Sequence, residues 1–280
     1  MQKSTIAQAQ TIERAYGSNY YLATLFLPSE IKEAVFVLYA FVRIPDEMVD
    51  NPKSDTDPEK ELHAWHANWK RCYYDGDQSN EIMVAAKEVF LQYNIPFSYS
   101  EEFIAAMIQD LHVGRYQTYQ DLQKYMRGSA EVVGLMLVYI FGCTNQKAVG
   151  PAEKLGEAMQ LTNFLRDVGE DYQERNRIYL PLEDMEVLSV SEKTIASQTV
   201  TPEFQALLKK YIAHARVLFA EANEGISLLP KETQRAVRLA SKFYEGILDR
   251  IEDNNYDVLT QKARHSKWQK CRILLSTYVR

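Results

Sequence analysis

Apolar side chains recur along this chain at intervals of three and four residues, the period of a helix with one buried face. From Ser29 onward, Ile31, Ala34, Val35, Leu38, Tyr39 and Val42 form such a stripe. Pro28 and Ser29 supply a start, and Glu30 and Glu33 suit the positive end of a helix dipole. The same period predicts helices over about 57–74, 80–93, 99–113, 121–141, 151–174, 202–227, 231–253 and 256–278. Alternating β-branched runs are short and no Asn-Gly hairpin turn occurs. Residues 175–200, Arg-rich at the start and Ser/Thr-rich at the end, predict a long loop that covers a site. No linker, low-complexity tract or short-period repeat divides the 280 residues. The expected fold is all-α, a single domain over 1–280.

Composition sharpens this picture. Hydrophobic residues make up 46% of the chain, enough for a sizeable core, while 11 Gly and 9 Pro are too few for a turn-rich β fold. A net charge of −6 argues against nucleic acid as a partner. Residues 261–280 nevertheless carry Lys262, Arg264, Lys267, Lys270, Arg272 and Arg280 with no acidic residue. Such a segment suits a solvated helix face, a membrane surface or an anionic substrate. Cys72, Cys143 and Cys271 show no metal-binding spacing and suit free thiols, in or near the core, in a reducing cytoplasm. No stretch reaches the roughly 18 apolar residues of a membrane span, and Val132–Cys143 is too short. The expectation is a cytoplasmic protein without a transmembrane helix, which would meet a lipid substrate at the membrane surface from outside.

Candidate chemistry sits in two acidic segments, Arg43-Ile44-Pro45-Asp46-Glu47-Met48-Val49-Asp50 and Asn163-Phe164-Leu165-Arg166-Asp167-Val168-Gly169-Glu170-Asp171. Each holds a D-x-x-x-D pair. On a helix, positions i and i+4 share a face with Cβ atoms about 6 Å apart, so the two carboxylates repel. A hard dication between them removes that cost, and Mg²⁺ takes one or two carboxylates together with substrate phosphates. A lone pair of this kind fits a solvated surface. Here both follow apolar stretches that read as buried, so two pairs on facing helices could hold several Mg²⁺ ions around one diphosphate. Arg43, Arg166, Arg175 and Arg177 lie beside them, and the planar fork of arginine suits phosphate. Arg166 and Arg175 fit an intrahelical ion pair equally well. An allylic cation left by a departing diphosphate needs apolar, aromatic walls, which 18 Tyr and 11 Phe can supply.

With these segments in place the chain resembles the squalene/phytoene synthase family from about Tyr16 to Arg264. Asn19-Tyr20-Tyr21-Leu22-Ala23-Thr24 followed by Leu27-Pro28 is similar to the family's N-terminal S-x-[ST]-[FY] region. Tyr39-Ala40-Phe41-Val42-Arg43 with Asp46 and Asp50 resembles its first Asp-rich motif, and Gln160 to Asp171 its second. Tyr125, Gly128, Ala130, Val133 and Gly134 resemble its Y-x-x-G-x-A-x-x-V-G segment, and Arg177-Ile178-Tyr179-Leu180-Pro181 its R-x-Y-L-P. The resemblance implies an all-α isoprenoid-synthase bundle around a central cavity. It implies Mg²⁺, or Mn²⁺, held by Asp46, Asp50, Asn163, Asp167 and Asp171, and Tyr125 beside the reacting carbons. It implies diphosphate held by Arg43, Arg177, Asn163, Gln160, Ser18, Tyr244 and Arg264. Two prenyl diphosphates would join head to head through a cyclopropyl diphosphate. A second ionisation would end in proton loss, or in hydride transfer from NADPH if the product is squalene.

Some positions depart from the family pattern. Gly17 and Asn19 replace hydroxyl residues, with Ser18 between them. Pro45 predicts a bend that presents Asp46. Glu131 stands where a small residue is usual, and as a carboxylate is expected to face a polar site, solvent or a metal. Leu135 stands where Glu is frequent. The phrases Tyr21-Leu22-Ala23-Thr24 and Gly128-Ser129-Ala130 resemble bacterial and archaeal phytoene synthases, and small Thr24 would leave room for a twenty-carbon chain. The expected reaction is therefore two geranylgeranyl diphosphates to phytoene. The alternatives are squalene or dehydrosqualene from two farnesyl diphosphates, and, in another class, a non-catalytic family member acting as an assembly factor. Retention of all four Asp residues separates the enzymes from the last.

Overall fold

A computed structural model describes residues 1–276. The chain opens with α1 (Lys3–Tyr16) and α2 (Ser18–Thr24) and continues with α3 (Ser29–Asp50), α4 (Pro58–Lys70), α5 (Glu81–Gln92) and α6 (Phe97–His112). Then come α7 (Tyr119–Met126), α8 (Val132–Ile140), α9 (Val149–Arg175), α10 (Leu182–Val187), α11 (Glu192–Ala196), α12 (Pro202–Gly225), α13 (Lys231–Asp253) and α14 (Lys267–Ser276). Among the described residues the one extended pairing is a single parallel bridge between Arg115 and Ile178.

Local chemistry sets the helix ends. Asp57 accepts from the amides of Glu59 and Lys60 ahead of Pro58, and Thr201 accepts from Phe204 ahead of Pro202; both satisfy amides that have no partner inside the helix. Asn176, at φ 51°, ends α9 in the left-handed conformation and turns Arg177 back, so that its amide bonds the Asp171 carbonyl at 2.9 Å. Two helical segments are interrupted by wide π-type turns. Arg71–Asp75 follows α4, and Arg127–Glu131 divides the stretch expected as one helix over 121–141 into α7 and α8.

Helices α3 and α9 form the frame. Helix α3 packs against α1, α5, α6 and α8, and α9 against α8, α12 and α13. Their buried faces, from Ala34 to Phe41 and from Ala158 to Val168, join one continuous apolar core that includes Trp69, Phe90 and Phe219. Gly156 lets α9 touch the turn at Arg127–Glu131: a Cβ there would lie 2.8 Å from the Ala130 carbonyl oxygen and 2.9 Å from Glu131 Cα.

Helix α3 contains Pro45, the residue expected to bend it, and runs on to Asp50. Several sequence expectations are corrected. Helices α1 and α2 were not foreseen, because the buried positions of α1 are Thr5, Ala9 and Glu13, which give no apolar stripe. The segment expected as a helix over 256–278 is helical only at Lys267–Ser276, since Asn255 and Tyr256 adopt φ of 54° and 62° and break the path; residues 277 and 278 lie outside the described residues. The expected loop over 175–200 contains α10 and α11, tied down by Arg115 Nε to Glu192 Oε1 at 2.7 Å. Of the thiols, Cys72 is buried and Cys143 half-buried, but Cys271 is exposed on the peripheral α14.

Glu13 is fully buried, and Thr24 Oγ1 donates to its Oε1 at 2.7 Å. Burial pushes its carboxyl from 4.5 up to about 7, and the Thr24 hydrogen bond pulls back only in part. Between those values the folded chain holds a proton that the unfolded chain has released, so this group's contribution is full below about pH 4.5 and is lost as pH rises to about 7. The shift corresponds to about 3 kcal/mol. Glu13→Gln is therefore expected to unfold at higher denaturant than the parent above pH 7 and at a similar concentration near pH 4.5. Parallel denaturation curves at both pH values check this.

Candidate active site

A cavity of about 450 Å³ lies between α3 and α9, and the two helices line it in the same order. On α3 the wall passes from Val35, Leu38 and Val42 to Arg43, Asp46 and Asp50. On α9 it passes from Ala152, Leu155 and Met159 to Gln160, Asn163, Asp167 and Asp171. The apolar part is completed by Val133 and Leu137 of α8, Ala222 of α12 and Ala236 of α13. The space thus has a polar end and an apolar body, the shape of a molecule with an anionic head and a long hydrocarbon chain.

The two D-x-x-x-D pairs face each other across this gap. Arg175 spans it, with Nε 3.5 Å from Asp50 Oδ1 and Nη1 3.2 Å from Asp171 Oδ1. Arg43 pairs with Asp46 and Glu47, and Arg166 with Asp167. Lys262 Nζ lies 3.1 Å from Asp167 Oδ1 and 2.7 Å from Glu170 Oε2. It is delivered by the irregular segment before α14, which presses onto α9 at Gly169, where a Cβ would meet the Leu259 carbonyl oxygen at 2.5 Å.

Charge is nonetheless poorly balanced. Burial, then the neighbouring Asp50, pushes Asp46 up to about 7 against the pull of Arg43; what remains accessible of this side chain lines the cavity. Burial, then Asp167, pushes Asp171 up to about 8 against Arg175. Burial also opposes ionisation of Asp167, but the hydrogen bond and charge of Arg166, with Lys262, outweigh it and hold that carboxyl below the usual range. Loss of solvent is thus the main reason these two carboxyls resist ionisation, and the neighbouring carboxylates add to it. Two polar atoms of the wall, the donor Arg43 Nε and the acceptor Asn19 Oδ1, are buried without a hydrogen-bond partner.

The remaining sequence candidates separate into those at the cavity and those away from it. Gln160 and Asn163 line it, with Asn163 Nδ2 3.4 Å from Gln160 Oε1. Tyr125 and Tyr244 line it, and so does Ser18, whose Oγ accepts from Lys270 Nζ at 3.1 Å. Arg177 is buried behind the wall, its Nη1 3.0 Å from both Asp50 Oδ1 and Asp110 Oδ2. Arg264 is exposed and outside the wall, and the neighbouring Lys262 reaches the carboxylates instead. Glu131 lies outside the cavity, in a polar hollow with Arg127, Glu153 and Glu157; burial and those two glutamates push it up to about 7. Thr24 lines the cavity, its hydroxyl turned to Glu13. Of the covering segment 175–200, Tyr179 reaches the cavity.

Sequence reasoning missed Asp110. This single acid on α6 carries no motif, yet it is buried in the wall, accepts from Tyr179 Oη at 2.8 Å and pairs with Arg177. Burial raises it to about 6, with Arg177 and Tyr179 holding it down. Beside it rises an aromatic stack: Phe164 on Tyr179 with centroids 4.1 Å apart, Tyr179 on Tyr125 at 5.8 Å and Tyr125 on Tyr116 at 5.5 Å. Tyr116 is buried behind the cavity lining and packs at the end of this stack.

The family model for squalene/phytoene synthase matches residues 13–269, nearly the whole chain. The chain belongs to the squalene/phytoene synthase family. It is 34% identical over 260 residues to 15-cis-phytoene synthase of Synechocystis sp., covering 89% of this chain and 77% of that one. It is 34% identical over 266 residues to phytoene synthase of Thermus thermophilus, covering 95% and 90%. Among solved structures, a dehydrosqualene synthase in complex with ligand superposes with a TM-score of 0.91 at 27% identity, covering 99% of this chain and 96% of that one. The all-α fold expected from the helical period is the fold of this family.

Removing Asp110 would leave the Arg177 guanidinium buried with one carboxylate fewer. Asp110→Ala is expected to destabilise the fold by about 3 kcal/mol, read from the denaturation midpoint. An unchanged midpoint would mean that water reaches Arg177.

Proposed function

We propose that this chain, acting as one catalytic domain, condenses two prenyl diphosphates head to head through a cyclopropyl diphosphate, with two geranylgeranyl diphosphates giving phytoene as the favoured reaction. The observation that carries this reading is the shared order along α3 and α9, from apolar wall to facing carboxylates. A diphosphate at the polar end would set its oxygens against Arg43, whose unpartnered Nε is a donor already in place. The prenyl chains would lie along Leu38, Val133 and Leu155. The identities to phytoene synthases favour the forty-carbon product. The likeness to a dehydrosqualene synthase keeps the thirty-carbon reaction as the second reading.

The residues also fit a divalent cation. Asp46, Asp50, Asp167 and Asp171, with Asn163 beside them, offer hard oxygen donors, and Arg175 already bridges Asp50 and Asp171 across the gap where a dication would sit. When bound, Mg²⁺ or Mn²⁺ would neutralise the leaving diphosphate. The chain itself excludes water from the prenyl chains. It also offers the faces of Phe164, Tyr179 and Tyr125 to the allylic cation. The first C–O bond breaks with departure of diphosphate, the cation is captured by the double bond of the second substrate, and proton loss closes the cyclopropane. A second ionisation and rearrangement follow, and a last proton loss gives the hydrocarbon; hydride from NADPH would replace that step if squalene were made.

Purified protein with Mg²⁺ and geranylgeranyl diphosphate is expected to yield a forty-carbon hydrocarbon without NADPH, read by mass analysis of a hexane extract. A thirty-carbon product from farnesyl diphosphate alone would move the reaction to the second reading, and no product from either would support an assembly role. Asp46→Ala and Asp171→Ala are each expected to abolish turnover with helical content intact, and full activity in both would sink the metal-site reading. Protons compete with Mg²⁺ for these carboxyls. Thermal stabilisation by Mg²⁺ is therefore expected to be larger above about pH 8 than below about pH 7, the values of Asp171 and Asp46.

A further inference from the structure

Tyr16 ends α1, belongs to neither D-x-x-x-D segment and yet lines the cavity. It is 54% exposed, and with the exposed Ser18 it marks the rim. Its ring does not face open water alone. The guanidinium carbon of Arg43 lies 4.7 Å from the ring centroid, within the range at which an aromatic face attracts a cation. Arg43 stands on α3, so tertiary packing, not local spacing, brings the two together.

The turn between α1 and α2 sets this contact. Gly17 caps α1, its amide donating to the Glu13 carbonyl at 2.8 Å, and its carbonyl accepts from the Tyr21 amide at 2.7 Å. The turn lies against α3, where a Cβ on Gly17 would meet Tyr39 Oη at 2.8 Å. Tyr20 of α2 stacks on the same Tyr39, with centroids 5.9 Å apart. Tyr39 precedes Arg43 by one helical turn. A residue without a side chain at position 17 therefore lets the end of α1 settle beside Arg43. The donors of a guanidinium all lie in its plane. Of those of Arg43, Nη1 serves Asp46, Nη2 serves Glu47, and Nε is buried without a partner. Tyr16 occupies the face of the group and takes none of them.

We propose that Tyr16 is a positioning residue for Arg43: its ring covers one face of the guanidinium at the rim and keeps the in-plane donors turned to the diphosphate of the substrate. A carboxylate in that place would hold the arginine by the donors that the substrate needs. Water in that place would leave a long side chain free to swing away, and ordering it would then weaken binding. A ring fixes the plane and leaves the edge available. Diphosphate oxygens can replace Asp46 and Glu47 along that edge while the stack persists. This role rests on the diphosphate reading of the site. Binding of inorganic diphosphate is measured without turnover, however, so the role of Tyr16 and the proposed reaction fail separately.

The test titrates the full chain with inorganic diphosphate in the presence of Mg²⁺ and reads the dissociation constant by calorimetry. Tyr16→Leu keeps apolar bulk and removes the aromatic face. It is expected to weaken diphosphate binding by about fivefold, and with a prenyl diphosphate to raise KM more than it lowers kcat. Tyr16→Phe keeps the face and is expected to restore the parental affinity. In an Arg43→Gln background Tyr16→Leu should add no further loss, which a double-mutant cycle reads directly. Parental affinity in Tyr16→Leu, with helical content intact, would overturn the proposal. So would an equal loss in Tyr16→Phe, the same fivefold loss without Arg43, or a parent that binds no diphosphate. The expected binding pattern without any hydrocarbon product would overturn the proposed reaction and leave this role standing.

Discussion

Four carboxylates brought together across the α3–α9 gap are the constraint around which the rest of this structure is arranged. Asp46 and Asp50 repel each other along one helix, Asp167 and Asp171 along the other, and the core holds both helices where the pairs also face. The chain meets this with cations from four places: Arg43 and Arg166 on the same helices, Arg175 across the gap, Arg177 from behind and Lys262 from the segment that presses on Gly169. Burial, with the neighbouring carboxylates, still leaves Asp46 and Asp171 reluctant to ionise. Such an arrangement holds buried acids together at a cost that only the tertiary fold sustains.

The same two helices fix what else the cavity can hold. Because each runs from apolar to acidic lining in the same direction, head and tail of a ligand are sorted without any separate domain. The aromatic stack from Phe164 to Tyr116 stands where Asp110 and Arg177 meet the acidic end. Close helix contacts at Gly156 and Gly169 keep this geometry rigid, since neither tolerates a Cβ without moving backbone.

At the rim the demands on the surface change. Helix α14 covers a small core with Ile273 and Leu274, leaves Trp268 and Leu275 exposed, and reaches the cavity rim through Lys270, which donates to Ser18. Among the described residues no helix is long and apolar enough to cross a membrane.

Much of this was legible in the sequence, because it depends on local spacing. The three-to-four period gave the all-α class and most helix positions, and the two D-x-x-x-D segments with Gln160, Asn163, Arg43 and Arg177 marked the acidic end of the cavity. What failed were features without a local signature. Helix α1 buries Thr5, Ala9 and Glu13 instead of an apolar stripe, and Asn255 and Tyr256 break a helix through left-handed backbone that side-chain pattern does not encode. Asp110 and Lys262 join the site from helix α6 and an irregular segment, with no motif to announce them, and Arg264 falls outside it. Sequence determined which residues could share a helix face. Only tertiary packing decided which faces meet, because burial, charge balance and the reach of an arginine across a gap depend on distances between elements far apart in the chain.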